Sequence, residues 1–315
     1  MEESVMTIIT LTLNPAFDVH CHVRDFKPYR ENLATVISRD AGGKGVNISR
    51  ALTKNGVDNT ALVVLGEENA ADFQRALAAD GMTWREITVS GRIRENITVH
   101  TDTAEETRIS FAGFETDTNL LERVRESLAE IDLSQCVLTL TGRIPDGLPM
   151  DDIKRFLVEL HAHGTRIVID SKSFSLDDLI ECRPWLIKPN EDEIADYIGR
   201  ENCTVAELTD TARGLYRAGV ENVMISLGGK GAMLVCAEGL FVATPPTVEP
   251  LSTIGAGDSS IAGFLAAKKM GKDAAECLRT AVAYGTAACL TVGTKPPCAE
   301  DVTRILKEIR CFAYT

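Results

Sequence analysis

Short apolar runs alternate along this chain with stretches whose apolar residues recur every three or four positions. The runs at 6–14, 60–66, 136–142, 166–171, 184–190 and 221–228 read as strands. The periodic stretches near 44–55, 69–80, 117–131, 149–163, 191–199 and 204–218 read as amphipathic helices. Beyond them the chain turns helical, near 256–270, 273–291 and 299–310. This alternation predicts an α/β fold with a largely parallel sheet.

Two regions break the rhythm. "FDVHCHV" with "LATVISRDA", and later "RENITVHTDTAEETRISFAG", read as extended, hairpin-like segments with no helix between their strands. One βαβ passage separates them, so they are expected to meet as one small sheet added to the main one. Flaps of this kind close over active sites. No Pro/Ser linker or internal repeat divides the chain, which predicts one domain over 1–315, with the β insertion near 17–40 and 92–113.

Composition narrows the partners. Hydrophobic residues make up 44% of the 315 and charged residues 25%, an ordinary globular balance. Against 46 Asp and Glu stand 33 Lys and Arg, and the net charge of −13 disfavours nucleic acid and anionic membrane as partners. A small anion remains open wherever glycine turns and local cations overcome that field. Nine scattered cysteines without a CxxC pair suit a reducing cytoplasm. The start "MEESVMTIITLTLNP" lacks the basic and apolar regions of a signal peptide, and no run approaches the ~18 apolar residues of a membrane span.

Five motifs carry candidate chemistry. In "LSTIGAGDSSIAGFL", 251–265, Asp258 follows Gly255, Ala256 and Gly257 at a predicted helix start. It is either a helix cap or an ionised carboxylate beside an anion held on bare N–H groups. The second role suits acceptance of a hydroxyl proton during phosphoryl transfer. In "DAGGKGVNISRAL", Gly42 and Gly43 precede Lys44, with Asn47 one helical turn on; the motif is not a Walker A loop, because Gly45 stands where that loop requires Ser or Thr. A ligand site and a solvated helix start are both open there. "NPAFD" puts Asp18 near the end of the first strand, as a sugar contact or a surface residue. In "KPNEDE", Asn190 and Glu193 have the spacing of a capping box and also of oxygen ligands to hydrated Mg²⁺. In "SLGGKGAMLV", Gly228, Gly229 and Gly231 join two strands.

Taken in order, "NPAFD", "AGGKGVN", "KPNEDE", "SLGGKG" and "STIGAGDS" resemble the ribokinase, or PfkB, family of carbohydrate kinases over about residues 6–310. The likeness is strongest to the branch containing 1-phosphofructokinase and tagatose-6-phosphate kinase. The resemblance implies a three-layer α/β/α sandwich with a β lid, ATP and Mg²⁺, and γ-phosphoryl transfer to a hydroxyl of a phosphorylated ketohexose. It implies Asp258 as general base and Gly255, Ala256 and Gly257 as anion hole. It also implies sugar contacts from Asp18, Gly42, Gly43, Lys44, Asn47, Arg94 and Asn96. Lys188, Asn190, Ser226, Gly228, Gly231 and Gly257 would line ATP, with Asn190 and Glu193 near the metal through water. In this family the lid commonly also forms a homodimer interface.

The lid departs from the branch. Leu33 stands where an arginine is expected and Thr98 where a lysine is expected. Losing two charged hydrogen bonds would weaken a phosphate site by ~10² to 10⁴. Arg30, Arg39, Arg108, Arg143 and Lys172 are candidates to replace them, with a surface ion pair as the competing role for Arg108 and Arg143. A kinase for tagatose 6-phosphate, fructose 6-phosphate or an unphosphorylated sugar or nucleoside is the enzymatic alternative. A silent ligand-binding family member is the other. His20 with His22, and His161 with His163, lack further ligands for a metal site. No GxGxxG follows the first strand, which excludes a dinucleotide-binding dehydrogenase.

Overall fold

The structure is a computed structural model that describes residues 6–103, 106–116 and 118–314. The acidic start of the chain, Ala104 and Glu105 of the second hairpin segment, and Asp117 at the predicted start of the 117–131 helix lie outside the described residues.

In chain order the first half comprises β1 (Thr7–Thr12), β2 (Ala16–His22), β3 (Thr35–Gly42), α1 (Lys44–Lys54), β4 (Thr60–Gly66), α2 (Ala70–Ala79), β5 (Trp84–Val89), β6 (Arg94–His100), β7 (Glu106–Ser110) and α3 (Asn119–Leu128). The second comprises β8 (Cys136–Thr141), α4 (Met150–Ala162), β9 (Arg166–Asp170), α5 (Leu176–Cys182), β10 (Leu186–Ile187), α6 (Glu191–Tyr197), α7 (Val205–Arg217), β11 (Asn222–Ser226), β12 (Ala232–Cys236), β13 (Gly239–Thr244), α8 (Ala256–Lys269), α9 (Ala274–Ala288), α10 (Ala299–Glu308) and β14 (Arg310–Tyr314).

The large sheet has the order β14-β13-β12-β11-β10-β9-β8-β1-β4-β5. Its β11 to β5 portion is parallel throughout, and β12, β13 and β14 extend it antiparallel. Side chains alternate across it, as in β1. Ile9 and Leu11 join the core under α3, α4 and α7, while Ile8 packs with Ile48 and Leu52 of α1 and Ile261 and Leu265 of α8. The result is three layers, helix on sheet on helix.

The expected small sheet forms from both hairpin segments, in the order β3-β2-β6-β7. Its centre is a parallel pairing of β2 with β6, in which Asp18 lies opposite Asn96. Phe17, Val19, Ile93 and Phe73 tie it to the large sheet in one apolar cluster.

Several expectations shift. The strand expected over 184–190 keeps only Leu186–Ile187 as paired strand, because the chain then turns into the α6 cap. Asp18 belongs to β2 rather than to the end of β1. Strands β5, β13 and β14 and helix α5 had no counterpart in the hydrophobic pattern: β14 is a mostly exposed edge strand, and α5 spans only Leu176–Cys182.

Candidate active site

Chain order along the sheet reverses at β1, which has β4 on one side and β8 on the other. Crevices at such reversals, beyond the carboxyl ends of parallel strands, are where open α/β sheets bind ligands. Around this one the sequence motifs converge.

The β3–α1 junction is built on close approach. A β-carbon on Gly42 would run into the Asp18 carboxylate, and Gly43, the α1 N-cap, has a left-handed φ of +116°. Lys44 and Asn47 then share the first helical turn. Arg50, one turn further, donates to Asn47 Oδ1 at 3.2 Å and to the Ala41 carbonyl at 2.5 Å. With Asn47 Oδ1 occupied, its Nδ2 donates to Asp258 Oδ2 at 2.9 Å. Arg50 was not among the expected site residues; its signal was an arginine on the buried face of an apolar helix.

Asp258 is not a cap. Gly255 holds the N-cap of α8 with φ +79°, no side chain caps the helix, and Asp258 is buried in the first turn. Gly257 admits Lys188, whose Nζ would lie 2.9 Å from any β-carbon there. Burial pushes the Asp258 carboxyl up to about 6, opposed by Lys44, Asn47 and Lys188 and helped by Asp170.

Asp170, at the end of β9, is a second residue that sequence reasoning missed. Its Oδ2 lies 3.0 Å from Lys44 Nζ and 3.8 Å from Lys188 Nζ. Burial works against its ionisation, but the two lysines outweigh it and hold the carboxyl below the usual range. Lys44 in turn is raised despite burial, by Asp170 and Asp258, and stays charged. The signal was a carboxylate directly after the apolar run "RIVI" at a strand end.

On the far side of Lys44 opens a cavity of ≈ 530 Å³ lined by Asp170, Lys188, Asn190, Glu193, Ser226 and Gly257 among others. Asn190 and Glu193 form the capping box of α6, each side chain accepting from the other's backbone N–H, at 2.7 and 3.1 Å. Gly228, Gly229 and Gly231 make the turn between β11 and β12 as expected. Gly231 at φ +102° leaves no room for a side chain against the Ala243 carbonyl.

The small sheet supplies the opposite wall. Asn96 Nδ2 donates to Asp18 Oδ1 at 2.9 Å, and Arg108 Nη2 lies 3.7 Å from the same oxygen. Arg94 donates to the Phe111 carbonyl at 3.1 Å, while its buried Nε has no partner among the described residues. Burial lowers the Arg94 pKa, and repulsion from Arg143 and Arg108 adds to the effect. Three guanidinium groups therefore gather here in a strongly acidic protein. Arg143 also pairs with Asp146 at 3.2 Å. The other candidate cations lie elsewhere: Arg39 stacks on Phe17 and pairs with Glu95, Lys172 sits 3.9 Å from Glu193, and Arg30 is exposed in the β2–β3 connection.

The family model for "pfkB family carbohydrate kinase" matches residues 12–301. The chain belongs to this family. This pfkB-family chain is 32% identical to the 1-phosphofructokinase of Escherichia coli K12 over 282 residues, covering 89% of this chain and 90% of the relative. It is 30% identical to the 1-phosphofructokinase of Bacillus subtilis 168, covering 96% and 98%. Among solved structures, phosphofructokinase-2 of Escherichia coli in complex with substrates and products matches with a TM-score of 0.90 at 26% identity, covering 96% of this chain and 99% of that one. The pfkB-family chain is accordingly an enzyme, a phosphotransferase with an alcohol acceptor, and the family implies ATP as its phosphoryl donor.

Proposed function

We propose that this kinase phosphorylates a phosphorylated ketohexose, fructose 1-phosphate first among candidates, within one domain whose small sheet acts as a lid. The observation that carries the substrate class is the convergence of Arg94, Arg108 and Arg143, a dianion-sized concentration of cationic donors beside Asp18 and Asn96. The register supports Arg108 as the replacement cation. It lies directly opposite Thr98 across the β6–β7 pair, on the same face of the lid. The names of the 1-phosphofructokinase relatives point to the same acceptor.

In this reading Asp18, Asn96 and the Gly42–Gly43 backbone hold the sugar hydroxyls, with Lys44 and Asn47 beside the reacting one. Asp258 accepts the proton of the acceptor hydroxyl as that oxygen attacks the γ-phosphorus. The bond from γ-phosphorus to the β,γ-bridging oxygen breaks, and ADP leaves. The Gly255–Gly257 turn and Lys44 stabilise charge on the transferring group. Lys188, Asn190, Ser226, Gly228 and Gly231 line the nucleotide.

Mg²⁺ fits the residues present. One Glu193 oxygen is spent on the cap, while Oε1 has Lys172 3.9 Å away as its ion-pair partner among the described residues. Asn190 and Glu193 would hold the hydrated ion through water, where it neutralises phosphate charge. The lid also exposes Leu33, Val36, Ile37, Ile109 and Phe111, which supports a homodimer formed through it. Free, scattered cysteines support a cytoplasmic location.

A coupled ADP-release assay with ATP and Mg²⁺ tests the function against fructose 1-phosphate, fructose 6-phosphate, tagatose 6-phosphate, fructose, ribose and adenosine. Preference for a phosphosugar is expected. Preference for a neutral acceptor would overturn the assignment of the arginines.

A further inference from the structure

Two residues beyond Asp18, on the same face of the lid, lies a second polar constellation that the chemistry above does not use. His20 is buried, its ring stacked on that of His100 with centroids 5.2 Å apart, and its Nδ1 lies 2.9 Å from His100 Nε2. His100 Nδ1 lies 3.1 Å from Glu106 Oε1. The other edge of the His20 ring meets the loop between α9 and α10: a β-carbon on Gly293 would stand 3.2 Å from His20 Nε2. The next residue, Thr294, packs against Gly255, its Cα 3.7 Å from where a β-carbon would sit. One line of contact thus runs from Glu106 through His100, His20 and the 289–298 loop to the N-cap of α8.

The proton count of this line is constrained. A carboxylate only accepts, so His100 carries its hydrogen on Nδ1 and, when neutral, accepts at Nε2 from His20 Nδ1–H. One added proton can be held on His100 beside Glu106, with the shared hydrogen bond reversed. A second would set two N–H donors against each other at 2.9 Å. The groups facing the pair do little to prevent that repulsion or to replace the lost bond. Ser38 and Thr98 lie opposite His20 in the flanking strands, Arg108 lies beyond Thr98, and Asp18 is engaged by Asn96. His22 is paired with Asp102 at 2.7 Å, and the loop presents Gly293.

We propose that His20 and His100 form a proton-sensitive clasp that positions the lid against the 289–298 loop, and through it the anion-binding turn at Gly255. These are positioning residues, and acid opens the clasp. Only the kinetic arm of its test rests on the sugar-phosphate kinase reading.

The test compares the full-length protein with His100→Gln, whose amide donates to Glu106 and accepts from His20 as neutral His100 does, without titrating. His20→Phe, which keeps the stack and loses the bond, serves as the open control. Hydrogen exchange of residues 289–298, corrected for intrinsic rate, is read at pH 7.5 and pH 5.5 without substrate. Protection is expected to fall about tenfold in the parent on acidification and to stay level in His100→Gln. In the kinetic arm, acceptor KM should rise in acid for the parent alone, while the acid limb of kcat, assigned to Asp258, is shared by both. An equal loss of protection in parent and His100→Gln, or none in either, overturns the clasp. No turnover with any acceptor, alongside the expected exchange difference, overturns the kinase assignment and leaves the clasp standing.

Discussion

Asn47 Nδ2 donates to Asp258 Oδ2 at 2.9 Å, joining the first turns of two helices 211 residues apart in the chain. That bond stabilises the ionised carboxylate against a burial that otherwise favours its neutral form. With the carboxyl at about 6 in the free protein, kcat/KM is expected to fall on the acid side with a midpoint near 6. Asn47→Leu removes the donor, so the acid limb should move to higher pH, in addition to any loss of acceptor affinity. A profile of kcat/KM against pH for both proteins checks this, and an unmoved limb would show that the bond does not hold the charge.

Asp258→Asn should lower kcat by ~10² to 10⁴ while leaving nucleotide binding measurable by calorimetry. Activity within a few-fold of the parent would remove Asp258 from its role as base.

The same substitution should stabilise the fold above pH 6. The Asp258 carboxyl rises from 3.8 to about 6 on folding, so between these values the folded state binds more protons than the unfolded chain, and stability falls as pH rises. Replacing the buried charge by a neutral amide removes that cost, and Tm at pH 7.5 should increase by roughly 2 to 6 °C. Differential scanning calorimetry at pH 7.5 and pH 5 should show the gain shrinking in acid. A gain unchanged by pH would place its origin elsewhere.

Arg94→Ala, Arg108→Ala and Arg143→Ala should each raise the KM for a phosphorylated acceptor by ~10 to 10², the loss of one charged hydrogen bond. Arg94 and Arg108 are expected to matter most, because Arg143 already has Asp146 as a surface partner. Initial-rate kinetics with fructose 1-phosphate and with fructose separate a phosphate contact from a general one. An equal rise for both acceptors would mean that the arginines act on the fold of the lid.

Asp170→Asn leaves Lys44 and Lys188 without the carboxylate that balances them. The Lys44 pKa should drop and its side chain should lose its fixed position, lowering kcat/KM by ~10² or more. A separate measurement of ATP affinity by calorimetry assigns the loss to binding or to the chemical step.

Much of this was legible in one dimension. The strand and helix periodicities are local consequences of which face of each element is buried, so the α/β order, the small second sheet and the helix starts at Lys44, Glu191 and Ala256 follow from the chain alone. The glycines around Lys44 and Asp258 likewise announce backbone that something must approach closely. What the sequence left open were questions of pairing across long separations. Whether Asp258 caps its helix or faces Asn47 depends on α1 and α8 packing side by side. Whether Asp170 is a core accident or the counter-ion of Lys44 and Lys188 depends on three strand ends meeting at one crevice. Whether Arg108 can stand in for Thr98 depends on the β6–β7 register, which a one-residue slip would reverse. Period and composition cannot fix these relationships, because each is a distance between residues that only the packed sheets bring together.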